Sequence, residues 1–181
     1  MTGCVALLRA VNLGSHNKVA ATDLRDLFTA LGFEAPRTWL QTGNVVFDAE
    51  TAPGLEARIE AELEARLGLV TDVFVRTAAE WNAVIAGNPF PAVAADDPSH
   101  LVVVVTKATP AGKAVAALRE SIAGPEEIRH ADRRLYVTYP DGIGRSKLTI
   151  ARIEKALGTR GTGRNWNTVR KLAELVGERT R

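Results

Sequence analysis

The sequence is short of the residues that commonly carry covalent chemistry. Among 181 residues stand one cysteine and three histidines. A lone cysteine excludes an internal disulfide and fits a reducing compartment. Cys4 borders the apolar run Val5–Leu8, where an inert core thiol is expected rather than a nucleophile. His16, His100 and His130 are scattered, and no His/Cys group has metal-ligand spacing, so neither a metal nor a cofactor is expected. No carboxylate pair stands out, Asp141 being the only acid beside the glycine-rich loops. Aromatic residues are few: Val5–Arg9 has none and Phe47 is the lone one of Val45–Asp48, which argues against the stacking sheet face of an RNA-recognition domain. Long apolar runs are missing as well. Nothing approaches the ~20 residues of a membrane span, and Arg9 breaks the first apolar stretch before it could act as a secretion signal. A cytoplasmic protein without a membrane partner is expected.

What is present is an uneven charge. Residues 1–90 hold 7 Lys/Arg against 11 Asp/Glu, a net −4, whereas residues 91–181 hold 16 against 10, a net +6. Within the second half, residues 141–181 carry 10 basic and 4 acidic groups. Such a bias favours an anionic partner.

Hydrophobic periodicity predicts an α+β fold. Val5–Arg9, Arg37–Gln41, Val45–Asp48 and Leu69–Val75 read as strands. Leu24, Leu27, Phe28 and Leu31 form one helical stripe, and Leu55, Ile59, Leu63 and Leu67 another. The order βαββαβ is that of a ferredoxin-like plait. A short helix follows, opened by the capping box Thr77-Ala78-Ala79-Glu80. The pattern then restarts: strand Leu101–Thr106, a helix through Val115 and Leu118, a hairpin turning at Asp132-Arg133, and helices over 148–157 and from Trp166. We expect a second plait that lacks its final strand and ends in helices. The expected organisation is a domain at 1–87, a Gly/Pro-rich linker at 88–100 and a domain at 101–181.

Four polar stretches could form a site. In a plait the first and second strands run the same way, so Arg9, Asn12 and Lys18, at the exit of the first, should meet Gln41 and Asn44 in the hairpin after the second. Two cations with amides suit an anion or a base edge. Asp141-Gly142-Ile143-Gly144-Arg145-Ser146-Lys147 matches neither a Walker loop nor a dinucleotide fingerprint. Still, glycines allow close backbone approach, and Ser146 and Lys147 supply donors at an expected helix N-terminus. The last stretch, Gly158-Thr159-Arg160-Gly161-Thr162-Gly163-Arg164 followed by Asn165-Trp166-Asn167, brings a glycine-rich loop with Arg160 and Arg164 to another helix start. One asparagine, Asn165 or Asn167, should cap that helix. The other, with Arg164, is free for a ligand, and Trp166 is read as core.

The segments LLRAVNLGSHNKV, TWLQTGNVVF, NPF, SKL and GRNWNTVRKL, in this order and spacing, resemble the family known as domain of unknown function 1697. The resemblance spans about residues 5–176. It implies a small bacterial protein with two α+β parts and no established activity. The family's Arg-Gly-Ile-Asn appears here as Arg9-Ala10-Val11-Asn12, and its Thr-Arg-Asn-Trp-Asn-Thr as Gly163-Arg164-Asn165-Trp166-Asn167-Thr168. Ala10 and Gly163 are thus departures from the pattern.

Loops built of donors without an obvious base favour binding over bond-breaking. The expected function is binding of a phosphate-bearing ligand, a nucleic acid or nucleotide, through loops at helix N-termini. The alternatives are an enzyme acting on a small anionic metabolite and a scaffold whose Asn and Gln residues only hold the fold together.

Overall fold

The computed structural model describes residues 1–10, 19–40 and 43–179. The chain is an α+β protein whose described residues form two four-stranded antiparallel sheets and seven α-helices. It divides into two compact units, Met1–Ala83 with Lys171–Arg181, and Val84–Arg170.

In the first unit the elements are β1 (Thr2–Leu8), α1 (Ala21–Ala30), β2 (Glu34–Trp39), β3 (Asn44–Ala49), α2 (Leu55–Leu67) and β4 (Val73–Thr77), in the sheet order β2-β3-β1-β4. Central β1 is buried on both faces, which is why it reads as a continuous apolar run instead of alternating. Its residues Cys4, Ala6 and Leu8 face a core shared with α1 and α2, where Phe28 meets Phe47 edge-on at 4.9 Å. Burial pushes the Cys4 thiol up to about 11, so it stays protonated and inert near neutral pH. At the sheet edge, outward N–H groups of β4 are taken by α2: Val73 and Val75 donate to Glu60 and Glu56, each at 2.7 Å. Then α3 (Ala78–Ala86) begins with the expected reciprocal cap: Glu80 N donates to Thr77 Oγ1 at 3.2 Å, and Thr77 N to Glu80 Oε2 at 2.8 Å.

The second unit contains α4 (Pro91–Asp96), a 3₁₀ turn at Pro98–His100, β5 (Leu101–Thr106), α5 (Gly112–Glu120), β6 (Glu127–Ala131), β7 (Arg134–Thr138), α6 (Ile150–Leu157) and β8 (Gly161–Asn165). The last helix, α7 (Trp166–Gly177), starts in this unit and ends in residues of the first. Its apolar stripe of Val169, Leu172 and Val176 is fully buried, and Trp166, at 5% exposure, is core as expected. The sheet order is β6-β7-β5-β8.

The expectation that the second sheet lacks its last strand is therefore wrong, because the stretch read as a glycine-rich loop is β8. Its glycines serve packing. A methyl group at Gly163 would lie 3.0 Å from Val102 Cγ1 and 3.3 Å from Ile150 Cδ1, and one at Gly161 would lie 3.1 Å from Val104 Cγ1. Backbone passes so close to the core that glycine replaces the apolar alternation by which a strand is recognised.

The two sheets share one register, although their sequences show no visible repeat. Across the first runs the row Arg37, Val46, Val5, Arg76; across the second runs Arg129, Tyr136, Val103, Arg164. Arg76 and Arg164 also make the same bond, each donating from Nη1 to the preceding carbonyl, Val75 O at 2.7 Å and Gly163 O at 2.9 Å.

Candidate functional site

At one end of the first sheet the strand exit and the hairpin do meet, since Leu8 N donates to Gly43 O at 2.8 Å. Asn44 is fully buried there, and its Nδ2 donates to Trp39 O at 3.0 Å, closing the β2–β3 turn. Arg9 is bound through its backbone: its N–H donates to Asp72 O at 2.9 Å and its carbonyl accepts from Thr71 Oγ1 at 2.5 Å. The next residue, Ala10, has φ +53°, a conformation that glycine adopts without strain. Asn12, Lys18 and Gln41 lie outside the described residues.

At the β8–α7 junction the polar residues divide. Asn165 Oδ1 accepts the Thr168 N–H at 3.1 Å and is the cap. Asn167 is exposed on the first turn. Arg164 donates to Thr162 Oγ1 at 2.8 Å as well as to Gly163 O, and burial lowers its pKa to about 10.

Ser146 and Lys147 belong to a different place. After β7 the chain turns at Gly142 (φ +84°) and makes a 3₁₀ turn at Ile143–Arg145. The loop does not lead directly into a free helix N-terminus, as the sequence suggested. α6 starts at Ile150, and Thr149 Oγ1 caps it by accepting Arg152 N at 3.2 Å. Ser146 instead ties the loop to the turn before β6: its hydroxyl donates to Glu126 Oε1 and accepts from Leu148 N at 3.0 Å.

Loop and turn enclose a cleft of about 390 Å³. Arg145, Ser146 and Lys147 line it together with Glu126, Asp141 and Arg152; Arg164 does not. Leu148 is its buried base, held by Tyr139, whose hydroxyl donates to Leu148 O at 2.8 Å and whose pKa is raised by burial. Arg152 is engaged elsewhere, donating from Nη2 to Ser121 O at 2.9 Å and Oγ at 3.0 Å. Arg145 and Lys147 are exposed and make no ion pair among the described residues. Beyond Glu126 lies a shallower depression of about 530 Å³ between α5 and β6. There Arg129 already pairs with Glu127 at 3.7 Å.

Two groups escaped the sequence reading. Glu126 stands 20 residues before its partner Ser146. Its carboxylate lies over Gly124, close to where a side chain there would begin. The second is a His–Asp pair: His100 Nδ1 lies 2.7 Å from Asp97 Oδ2, and a methyl group at Gly142 would lie 3.7 Å from His100 Nε2. Its signal was the i, i+3 spacing across Pro98 at the head of a strand. Among the described residues no group of three or more His, Cys, Asp or Glu could hold a metal ion, and no helix is long and apolar enough to cross a membrane.

The chain belongs to the family described as "Protein of unknown function (DUF1697)", whose model matches residues 1–136. The match includes Arg9, Asn44 and Glu126 and ends before Ser146 and Lys147. A solved structure, that of conserved bacterial protein SP0830 from Streptococcus pneumoniae, is similar with a TM-score of 0.76 at 18% identity, covering 97% of this chain and 98% of that one. At that identity the likeness concerns the fold alone. No curated protein matches the chain.

Proposed function

We propose that this family member binds a small phosphate- or carboxylate-bearing ligand, such as a nucleotide, in the cleft of its second unit. One observation carries the reading: Arg145 and Lys147, beside the Ser146 hydroxyl, line a cleft of about 390 Å³ and have no ion-pair partner among the described residues. That volume falls in the ~300–1,000 Å³ range of small-molecule sites. Element order and the sheet orders β2-β3-β1-β4 and β6-β7-β5-β8 support reading each unit as a ferredoxin-like plait. The site is then a loop cluster on a plait, apart from its sheet face. A polynucleotide fits less well, since Trp166 is buried and unavailable for stacking.

Thermal shift with inorganic phosphate and nucleoside monophosphates tests the proposal. Wild type should be stabilised, by about 2.7 kcal/mol at a ligand concentration of 100 Kd, and less as salt rises. The Arg145→Ala/Lys147→Ala variant should lose the effect. Equal stabilisation of variant and wild type overturns the reading; stabilisation that grows with oligonucleotide length points to nucleic acid instead. A second reading, an enzyme acting on a small anionic metabolite, is favoured by the Asp97–His100 pair, because the carboxylate fixes the imidazole and leaves Nε2 to move a proton.

A further inference from the structure

The same cleft holds charge of both signs. Arg145 and Lys147 stand on the loop after β7; Asp141 opens that loop, and Glu126 faces it from the turn before β6. No ion pair joins the two sets among the described residues, and neither carboxylate has a cationic partner elsewhere among them. Opposite charges on mobile side chains normally collapse onto one another when nothing holds them apart. Here Glu126 is held by one bond, its Oε1 accepting the Ser146 hydroxyl, and its carboxylate lies over Gly124. The half-buried carboxylate is thus presented to the cleft at a set position.

We propose that the cleft takes a dipolar ligand, one whose phosphate or carboxylate meets Arg145 and Lys147 while its ammonium group meets Glu126 and Asp141. The proposal rests on the anion-binding reading above and adds the ligand's second charge. Such a ligand satisfies both sets at once, whereas a simple anion would meet the cations and be repelled by the carboxylates.

Calorimetry at neutral pH and low salt with 2-aminoethyl phosphate, ethyl phosphate and inorganic phosphate separates the two claims. The amino compound should bind tighter than ethyl phosphate by up to about fivefold, the scale of a partly exposed ion pair. Glu126→Gln, which keeps an oxygen for Ser146, should narrow the preference, weakening the amino compound while ethyl phosphate, freed of one repelling carboxylate, binds tighter. Asp141→Asn should reduce the preference in the same direction, and it serves alone if Glu126→Gln fails to fold. Equal affinity for both compounds in wild type overturns the dipolar proposal and leaves the anion reading standing. A preference unchanged by either substitution also overturns it. Binding of none of the three overturns both.

Discussion

Asn165 and Asn167 stand two residues apart, yet only one has a bond to lose. Asn165 Oδ1 accepts the Thr168 N–H, one of the four that a helix start leaves without an intrahelical partner. Replacing it with alanine should cost roughly 0.5–2 kcal/mol. Asn167→Ala, at an exposed position, should stay within about 0.5 kcal/mol. Urea unfolding of the two variants checks this, and equal costs would contradict the assignment. That one asparagine must cap was legible from residue type; which one depends on Asn165 ending an extended strand. Asn44 follows the same logic, since its amide closes a turn. Glu126 was not legible at all, because its role depends on a hydroxyl 20 residues later.

Between elements, the two edge strands β4 and β8 solve one problem in different ways. Both are the fourth strand of their unit and lie beside the central strand. β4 carries Val73 and Val75, whose outward N–H groups donate to Glu60 and Glu56 of α2. β8 carries Gly161 and Gly163, and Ile150 of α6 comes in where a side chain would otherwise stand. The predicted strand Leu69–Val75 overlaps β4 only at Val73–Val75, and β8 could not be read at all: the close approach removed the residues that periodicity detects. It follows that Gly163→Ala should cost about 1–3 kcal/mol by overpacking against Val102 and Ile150. Ile150→Val in that background should return part of the loss. Chemical denaturation of the single and double variants measures both effects. A neutral Gly163→Ala with no coupling to Ile150 would mean that the glycine serves something other than packing.

At the scale of the whole chain, both sheets carry a cross-strand row with arginine at each end and valine on the central strand, although the two sequences show no visible repeat. We propose that the chain comprises domains at 1–87 and 101–181 joined by a linker at 88–100, although its last helix ends among residues of the first unit. The segment 88–100 is helical in part, yet α4 buries none of its residues fully. Opening it therefore loses little core, whereas β5 is buried along its whole length and should open only with the fold. Among the described segments, a protease at low dose should cut first within Gly87–His100 and leave β5 intact. The two fragments should then elute together in gel filtration, because residues near the end of the chain are built into the first unit. A methyl group at Gly3 would lie 3.1 Å from Val176 Cγ2, and Arg179 Nη1 donates to Asp48 Oδ2 at 2.9 Å. A first cut inside Leu101–Thr106 would contradict the proposed boundary. Separation of the fragments without denaturant would contradict the tie between the last helix and the first unit.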